Sequence, residues 1–405
     1  MKKQNFTNIV KVAIVGVGGG GCNTINYIWE NNSFAYLSKV SPKQLADFLA
    51  NEHSQTIALI AANMDSNSAT EMLSYFSDEE RADIADKKES IDNISLQIVK
   101  RVSNILENKL ESLMNCKVEV RKTHIALDTD KMALLNNIVD SNILLGEKTT
   151  QGFGAGMNPE LGKKSAEESY EAIKSALHDS NIVLITAGLG GGTGTGALPI
   201  VARIAKEIGA LTIAVATMPF ACEGRAREKI AQNGLDEIKN VVDSFFVLPN
   251  EKLLSTIDKS MAACDTLKII DSTMAKALLG LANILSDNNG GLNIDFADLR
   301  IAMENKGFGF IGVGDKDGED SAVEAIKEAM QSPLFDSTKT RGAKCAIIHY
   351  TINENYPPQE MAMANEIVQQ QLDEDAFCKY GWTWDNTLKP SQLKVTLIIT
   401  GLKNA

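Results

Sequence analysis

Gly190-Gly191-Gly192-Thr193-Gly194-Thr195-Gly196 is the stretch on which the reading of this chain turns. It follows a β-branched run, Ile182–Ala187, and precedes a helical pattern that begins at Ala197. A run without bulky side chains wraps phosphates with backbone N–H groups, and Thr193 and Thr195 add hydroxyl donors. A comparable run, Gly16-Val17-Gly18-Gly19-Gly20-Gly21, is expected as a turn between strand Ile9–Val15 and helix Cys22–Glu30. There the glycines let the backbone approach a phosphate closely, and the helix N-terminus offers free N–H groups and the positive end of its dipole. One G-x-G-x-x-G ordinarily marks a dinucleotide site, and a tight turn without ligand is the bland alternative. Two such loops on adjacent strand ends point instead to a polyphosphate held from both sides. A P-loop is excluded, because Gly156–Lys163 has the wrong spacing for G-x-x-x-x-G-K-[ST].

Around these loops, short β-branched runs alternate with helical patterns, the mark of an α/β domain with a largely parallel sheet. Further strands are expected near Ile125 and at Leu211–Thr217 and Phe245–Leu248. Pro159–Leu177 reads as one helix, with Glu167, Glu168 and Glu171 outward and Ala166, Ile173 and Leu177 inward. Leu267–Leu285 is apolar almost all round and reads as a buried central helix. After Asn288-Asn289-Gly290-Gly291 the pattern restarts, with strands at Gly307–Gly314, Cys345–Tyr350 and Leu393–Thr400 and helices at Ser321–Gln331 and Glu360–Leu372. The expected division is a nucleotide domain over 1–290, a loop and helix over 291–306, and a smaller α/β domain over 307–405.

The segment between the first helix and Ile125 is too long for an ordinary connection and reads as an insertion at about 33–122. Ser41-Pro42 suits the N-cap and first position of a short helix bearing Leu45, Phe48 and Leu49. Thr56–Ala62 reads as a strand, and Ile91, Ile94, Ile98, Val102, Ile105 and Leu113 form a stripe at helical spacing. The insertion is either a docking surface, a modifier of lateral contacts, or a tolerated surface feature.

Composition narrows the function classes. The 405 residues carry a net charge of −12, and no Lys/Arg cluster stands out, which disfavours direct nucleic-acid binding. No apolar run approaches the ~18 residues of a membrane span, and Met1–Asn8 lacks the pattern of a secretory leader. The six cysteines, at 22, 116, 222, 264, 345 and 378, are scattered without C-x-x-C spacing. This argues against a zinc site and fits buried thiols in a reduced cytoplasm.

Taken together, the motifs resemble the tubulin/FtsZ superfamily, and Val183–Leu254 is similar to bacterial FtsZ almost throughout. Supporting matches are Gly152–Glu160, Pro219-Phe220 followed by Glu223–Arg227, Pro249-Asn250, and Asn293-Ile294-Asp295-Phe296-Ala297-Asp298, in family order. The resemblance implies the tubulin/FtsZ fold, a Rossmann-like GTPase domain with a parallel sheet, a central helix and a smaller α/β C-terminal domain. It implies that Gly18, Gly19, Gly20 and Gly21, with Asn23, and Gly190, Gly191, Gly192, Thr193, Gly194, Thr195 and Gly196 hold the phosphates of GTP or GDP with Mg²⁺. It places Gly154, Ala155 and Gly156 near the γ-phosphate, Glu223 and Arg227 at the ribose, and Asn250 at the guanine edge. A bare Glu-Arg pair at i,i+4 would otherwise read as a surface salt bridge on one helix face.

The central helix departs from the family: Leu267 stands where an aromatic normally stacks on guanine, and Asp271-Ser272 where an Asn-Asp pair is usual. Asp271 remains able to accept from guanine N1–H and N2–H. For the family's Asn-Thr-Asp after the second core strand, two placements stay open. Asp128-Thr129-Asp130 is favoured by spacing, and Asn63-Met64-Asp65 is similar in local sequence, so Asp128 and Asp130 are retained.

Asp295 and Asp298, at i,i+3 entering a helix, could serve only as an N-terminal cap. In the family these residues, with Asn293, reach into the next subunit's pocket and polarise the water that attacks the γ-phosphate. The resemblance therefore implies a cytoplasmic, assembly-dependent GTPase that partners itself head to tail in an open filament. Cell division is the expected role. The alternatives are plasmid or phage DNA segregation through an adaptor, a non-hydrolysing regulator of another filament, and, without the resemblance, an NAD oxidoreductase. Only Leu402–Ala405 follow the last expected strand, so the tail that binds membrane tethers in the family is not expected, and recruitment would run through another adaptor or tether.

Overall fold

The computed structural model describes residues 10–32, 34, 37, 40–88, 99, 102–103, 105–106, 120–135, 137–254, 257, 261–284, 292–304, 306–332 and 340–402. Two compact units divide the chain: Ile28–Val118, and Met1–Tyr27 together with Glu119–Ala405.

The larger unit is built on a seven-stranded parallel sheet: β1 (Val10–Val17), β2 (Val120–Asp128), β3 (Ser141–Leu144), β4 (Ile182–Gly188), β5 (Leu211–Met218), β6 (Ser244–Pro249) and β7 (Gly307–Phe308). Their order is β3-β2-β1-β4-β5-β6-β7, so the winding reverses between β1 and β4. The crevice outside the strand ends at such a reversal is where open α/β sheets bind ligands. Parallel strands covered on both faces are apolar throughout, as β4 shows, with Ile182, Val183, Leu184 and Ile185 all buried. Helix Gly192–Glu207 packs on this core through Ala197, Leu198, Val201 and Ile204.

A four-stranded sheet follows, ordered β10-β9-β11-β8, from β8 (Phe310–Asp317), β9 (Ala343–Ile352), β10 (Leu372–Trp384) and β11 (Gln392–Thr400). β10 pairs parallel with β9, and β11 pairs antiparallel with both β9 and β8. Helices Ser321–Met330 and Pro358–Gln369 close its core around Tyr350, Ile326 and Val368.

Several expectations need correction. Gly16–Gly21 is not a separate turn: Gly16 and Val17 end β1, and Gly18 already opens helix Gly18–Asn32. Pro159–Leu177 is two helices, Pro159–Glu168 and Tyr170–Ala176, broken at Ser169, with the expected inward and outward faces retained. Gly307–Gly314 splits at Gly309, where a Cβ would lie 2.7 Å from Phe246 and 2.9 Å from Thr400, so β7 joins the large sheet and β8 opens the small one. Leu372, expected at the end of helix Glu360–Leu372, instead opens the edge strand β10, for which the sequence holds no expectation. Helix Ala263–Asn283 has its buried residues only from Ile270 onward, and Leu267 is 54% exposed. Among the cysteines, Cys22 and Cys345 are buried, Cys378 is half-buried, and Cys222 and Cys264 are exposed; Cys116 lies outside the described residues.

The described elements of the second unit are all helices, among them Pro42–Leu49, Ser54–Ala62, Ser66–Leu73 and Asp78–Lys88. Ser41 forms the expected cap, a capping box with Gln44. The expected strand Thr56–Ala62 is a helix instead, capped by His53 Nδ1, which accepts from the Gln55 N–H at 3.2 Å. Ile57 to Ala61 are all buried among Leu45, Leu49, Met72 and Phe76. A short apolar run buried on every side has no periodicity to tell helix from strand. Of the expected stripe, Val102 and Ile105 are helical, while Ile91, Ile94, Ile98 and Leu113 lie outside the described residues. No helix among the described residues is long and apolar enough to cross a membrane.

Candidate functional site

The reversal of the sheet brings the two glycine loops against each other. A Cβ on Gly18 would lie 2.9 Å from the Gly194 nitrogen, and one on Gly21 would lie 2.3 Å from the Thr186 carbonyl. Gly18 has φ +70°, a conformation that also calls for glycine. Gly19 and Gly191 differ: a Cβ at either meets nothing within 4 Å, and neither has positive φ. The chain does not require glycine at these two points, whereas a ligand seated on the backbone would. Gly191 caps helix Gly192–Glu207 with no side chain, leaving its first turn open to an anion.

A third loop closes on these. Gly192 N–H donates to Gly156 O at 2.7 Å, and Gly154 N–H donates to Thr129 O at 3.1 Å. Thr129 and Thr193 share a hydroxyl hydrogen bond of 2.5 Å. Asp128 ends β2, buried, and accepts from the N–H groups of Thr129 at 2.7 Å and Asp130 at 3.1 Å. Burial pushes its carboxyl above the usual carboxylate range, against the pull of those two donors. Burial, with the Asp128 charge added, also pushes the Cys22 thiol up to about 12. Asp130 accepts from the Met132 N–H. The rival Asp65 lies in the other unit, where its carboxylate caps helix Ser66–Leu73.

Thr195 differs from its neighbour Thr193. It is 3% exposed, and its hydroxyl accepts from the Gly190 N–H at 2.9 Å, so it braces the loop from inside. Glu223 and Arg227 are ion-paired but do not share a helix. Glu223 ends the turn Ala221–Glu223, Gly224 intervenes at φ +95°, and Arg227 belongs to helix Arg225–Ile238. Arg227 lies beside the second loop, its carbonyl 3.1 Å from where a Gly190 Cβ would be. Asn23 is exposed on the first helix.

Two polar groups are poorly satisfied. Asn250 is buried at the end of β6, and its Oδ1 has no partner among the described residues. Asp271 accepts from Thr24 Oγ1 at a long 3.5 Å, and burial pushes its carboxyl up to about 6. Ser272, beside it, donates its hydroxyl to Ile269 O of its own helix. A buried amide oxygen without a partner among the described residues, and a half-buried carboxylate with one long hydrogen bond, are costly unless a ligand supplies N–H groups.

Asp295 and Asp298 form a reciprocal capping box on helix Phe296–Met303. Asp298 N–H donates to Asp295 Oδ1 at 2.8 Å, and Asp295 N–H donates to Asp298 Oδ2 at 3.2 Å. The capping role weighed from sequence is therefore present, yet it uses one oxygen of each carboxylate and leaves the other for a second task. Asn293 is exposed in the same segment. Lys379, which the sequence reading passed over, pairs with Asp298 Oδ2 at 3.1 Å. It stands on β10, a strand that gave no sequence signal of its own. Thr24 was also missed, because a hydroxyl carries no pattern until a partner comes near, and Thr129 was read only as the middle of the Asp-Thr-Asp triplet.

Comparison with known proteins agrees with this architecture. Residues 87–258 match the Tubulin/FtsZ family, GTPase domain, and residues 307–403 match the FtsZ family, C-terminal domain. Residues 42–117 match the FliG middle domain, a likeness the sequence reading did not make. The cell division protein FtsZ of Helicobacter pylori is 40% identical over 294 residues, which is 73% of this chain and 76% of that protein. An empty FtsZ dimer from M. jannaschii superposes with a TM-score of 0.70 at 32% identity, covering 98% of this chain and 89% of that one. CetZ2 from Haloferax volcanii, a GTPγS-bound protofilament, shares the fold with a TM-score of 0.66 at 14% identity, covering 98% and 94%. Two glycine loops at the sheet reversal, the capped carboxylate pair and this degree of identity lead to one assignment: the chain belongs to the FtsZ family of tubulin-like GTPases.

Proposed function

We propose that this protein hydrolyses GTP in a cytoplasmic, head-to-tail filament of the cell-division apparatus, with each active site completed by the next subunit. The observation that carries the nucleotide reading is the pair of loops at the sheet reversal, where Gly19 and Gly191 are glycine with no demand from the chain itself. Their N–H groups would take the phosphates, with Thr193 beside them and the Gly154–Gly156 loop at the terminal phosphate. Glu223 and Arg227 would hold the ribose, and Asn250 and Asp271 would receive the N–H groups of guanine.

No group of three or more His, Cys, Asp or Glu able to hold an ion lies among the described residues. The Mg²⁺ that accompanies a nucleoside triphosphate would neutralise charge on the phosphates that these loops hold. Helix dipole and backbone N–H groups neutralise part of the phosphate charge, the usual protein contribution to phosphoryl transfer.

Within one subunit, the polar contacts of Asp295 and Asp298 among the described residues are with each other and with Lys379. The oxygens left over would orient a water toward the γ-phosphate of a neighbour's nucleotide. Contacts of this heterologous kind generate open filaments.

The test is GTPase rate against protein concentration, with light scattering recorded in parallel. Turnover that rises only above a critical concentration, together with scattering, is expected. Turnover strictly proportional to protein without scattering would mean a self-sufficient subunit and would overturn the composite site.

A further inference from the structure

We infer that Lys379 is a positioning residue for GTP hydrolysis, holding the Asp298 carboxylate in the orientation it presents to the neighbouring subunit. The inference rests on the composite-site reading above and adds to it a residue from the second sheet. β10 turns alternate side chains to opposite faces. Cys378, Trp382 and Trp384 pack against the core of the small sheet. Lys379 and Gly381 therefore occupy the other face, and segment Leu292–Asp298 lies on it.

The fit there is close. A Cβ on Gly381 would come within 2.3 Å of the Leu292 carbonyl and 2.9 Å of Ile294. The Trp382 N–H donates to that same Leu292 carbonyl at 2.9 Å, and Ile294 is buried. The start of the segment is thus fixed to β10 by backbone and packing. Its far end enters helix Phe296–Met303, anchored by buried Leu299, Ala302 and Met303, and there β10 reaches the Asp298 carboxylate through Lys379, whose ammonium lies 3.1 Å from Oδ2.

The same oxygen already accepts the Asp295 N–H at 3.2 Å. Two donors on Oδ2 restrict rotation of the carboxylate and leave Oδ1 as its free acceptor among the described residues. The pair is also partly sheltered, with the side chains 17% and 34% exposed, so solvent screens it less than a surface pair. An uncharged side chain at 379 would leave the capping bond alone to set the carboxylate's angle. Displacement of a catalytic group by about 1 Å is enough to cost one to two orders of magnitude in rate.

The experiment compares Lys379→Met, Lys379→Arg and Asp298→Ala with wild type in the full chain, measuring critical concentration and GTP turnover per polymerised subunit. K379M is expected to assemble at a critical concentration close to wild type and to turn over roughly tenfold more slowly. K379R, which keeps the charge, is expected to recover most of the rate. A K379M polymer with wild-type turnover overturns the inference, as does a K379R polymer as slow as K379M, because packing and not charge would then be responsible. Should K379M fail to assemble, K379R decides alone: a slow, assembled K379R polymer overturns the inference and a wild-type rate supports it. Wild-type turnover in D298A would sink the composite-site reading itself, whereas an inactive D298A beside a normal K379M sinks only the role of Lys379.

Discussion

Replacing Asp271 with asparagine should stabilise the nucleotide-free protein at neutral pH while weakening its hold on guanine. Burial pushes the Asp271 carboxyl from 3.8 up to about 6, and the long hydrogen bond from Thr24 offsets only part of this. At 1.36 kcal/mol per pH unit, that displacement caps the cost of ionising the group at ~3 kcal/mol. The side chain is only partly buried, and residual screening by water brings the expected effect to about 1–2 kcal/mol.

The sign follows from proton linkage. The folded chain holds this proton more tightly than the unfolded chain does. The stability it contributes is therefore complete below pH 3.8 and is lost as pH rises through about 6. Asparagine cannot ionise, so the variant should match wild type in urea midpoint near pH 4 and exceed it near pH 7. Circular dichroism across that range, without nucleotide, reads the difference. A gap that does not change with pH, or a variant less stable than wild type near pH 7, refutes the reasoning. Bound guanine would favour the carboxylate through its N–H donors. Wild-type affinity for GTP should therefore climb between about pH 4 and 6, by at most tenfold per unit, and D271N should lose that climb.

The other predictions separate fold from function. Gly18→Ala combines positive φ with a contact at 2.9 Å, so it should lower stability by about 1–3 kcal/mol, read from the melting midpoint. Gly19→Ala meets open space and should leave the midpoint unchanged or slightly raised, yet weaken binding of a fluorescent GTP analogue at least tenfold if phosphate sits on that backbone. Asp298→Ala should bind nucleotide, lose turnover, and depress the rate of wild type when the two are mixed; normal turnover in the variant would rule out catalysis across the filament contact. Asp243 is 1% exposed, paired with Lys206 at 2.8 Å and accepting the Thr212 N–H at 2.9 Å. Asp243→Ala leaves those donors stranded and should cost about 3 kcal/mol, visible in a denaturation curve, without altering nucleotide affinity in the folded fraction.

Much of the large sheet was legible because its strands are buried on both faces and read as continuous apolar runs, as Ile182–Ala187 and Leu211–Thr217 do. The glycine loops were legible for a different reason: close approach of backbone to backbone or to a ligand excludes every other side chain. Legibility failed where a short apolar run is buried all round, as at Ile57–Ala61, and where a long edge strand alternates weakly, as at Leu372–Trp384. It failed again at Glu223 and Arg227, whose spacing suits one helix although Gly224 separates a turn from the helix that follows.

The sequence by itself determined the alternation of strands and helices, the two glycine loops and the carboxylate pair, since each is a local demand of backbone geometry or helix capping. Only the tertiary structure decided that β1 and β4 are neighbours at the reversal, which sets Gly18 against Gly194. It alone turned Asp271 toward Thr24 and left Asn250 Oδ1 buried without a donor among the described residues. It alone laid β10 along the Leu292–Asp298 segment, bringing Lys379 to a carboxylate 81 positions away in the chain. Such pairings arise from how buried surfaces stack, and residues distant in sequence carry no mark of them until the sheets have formed.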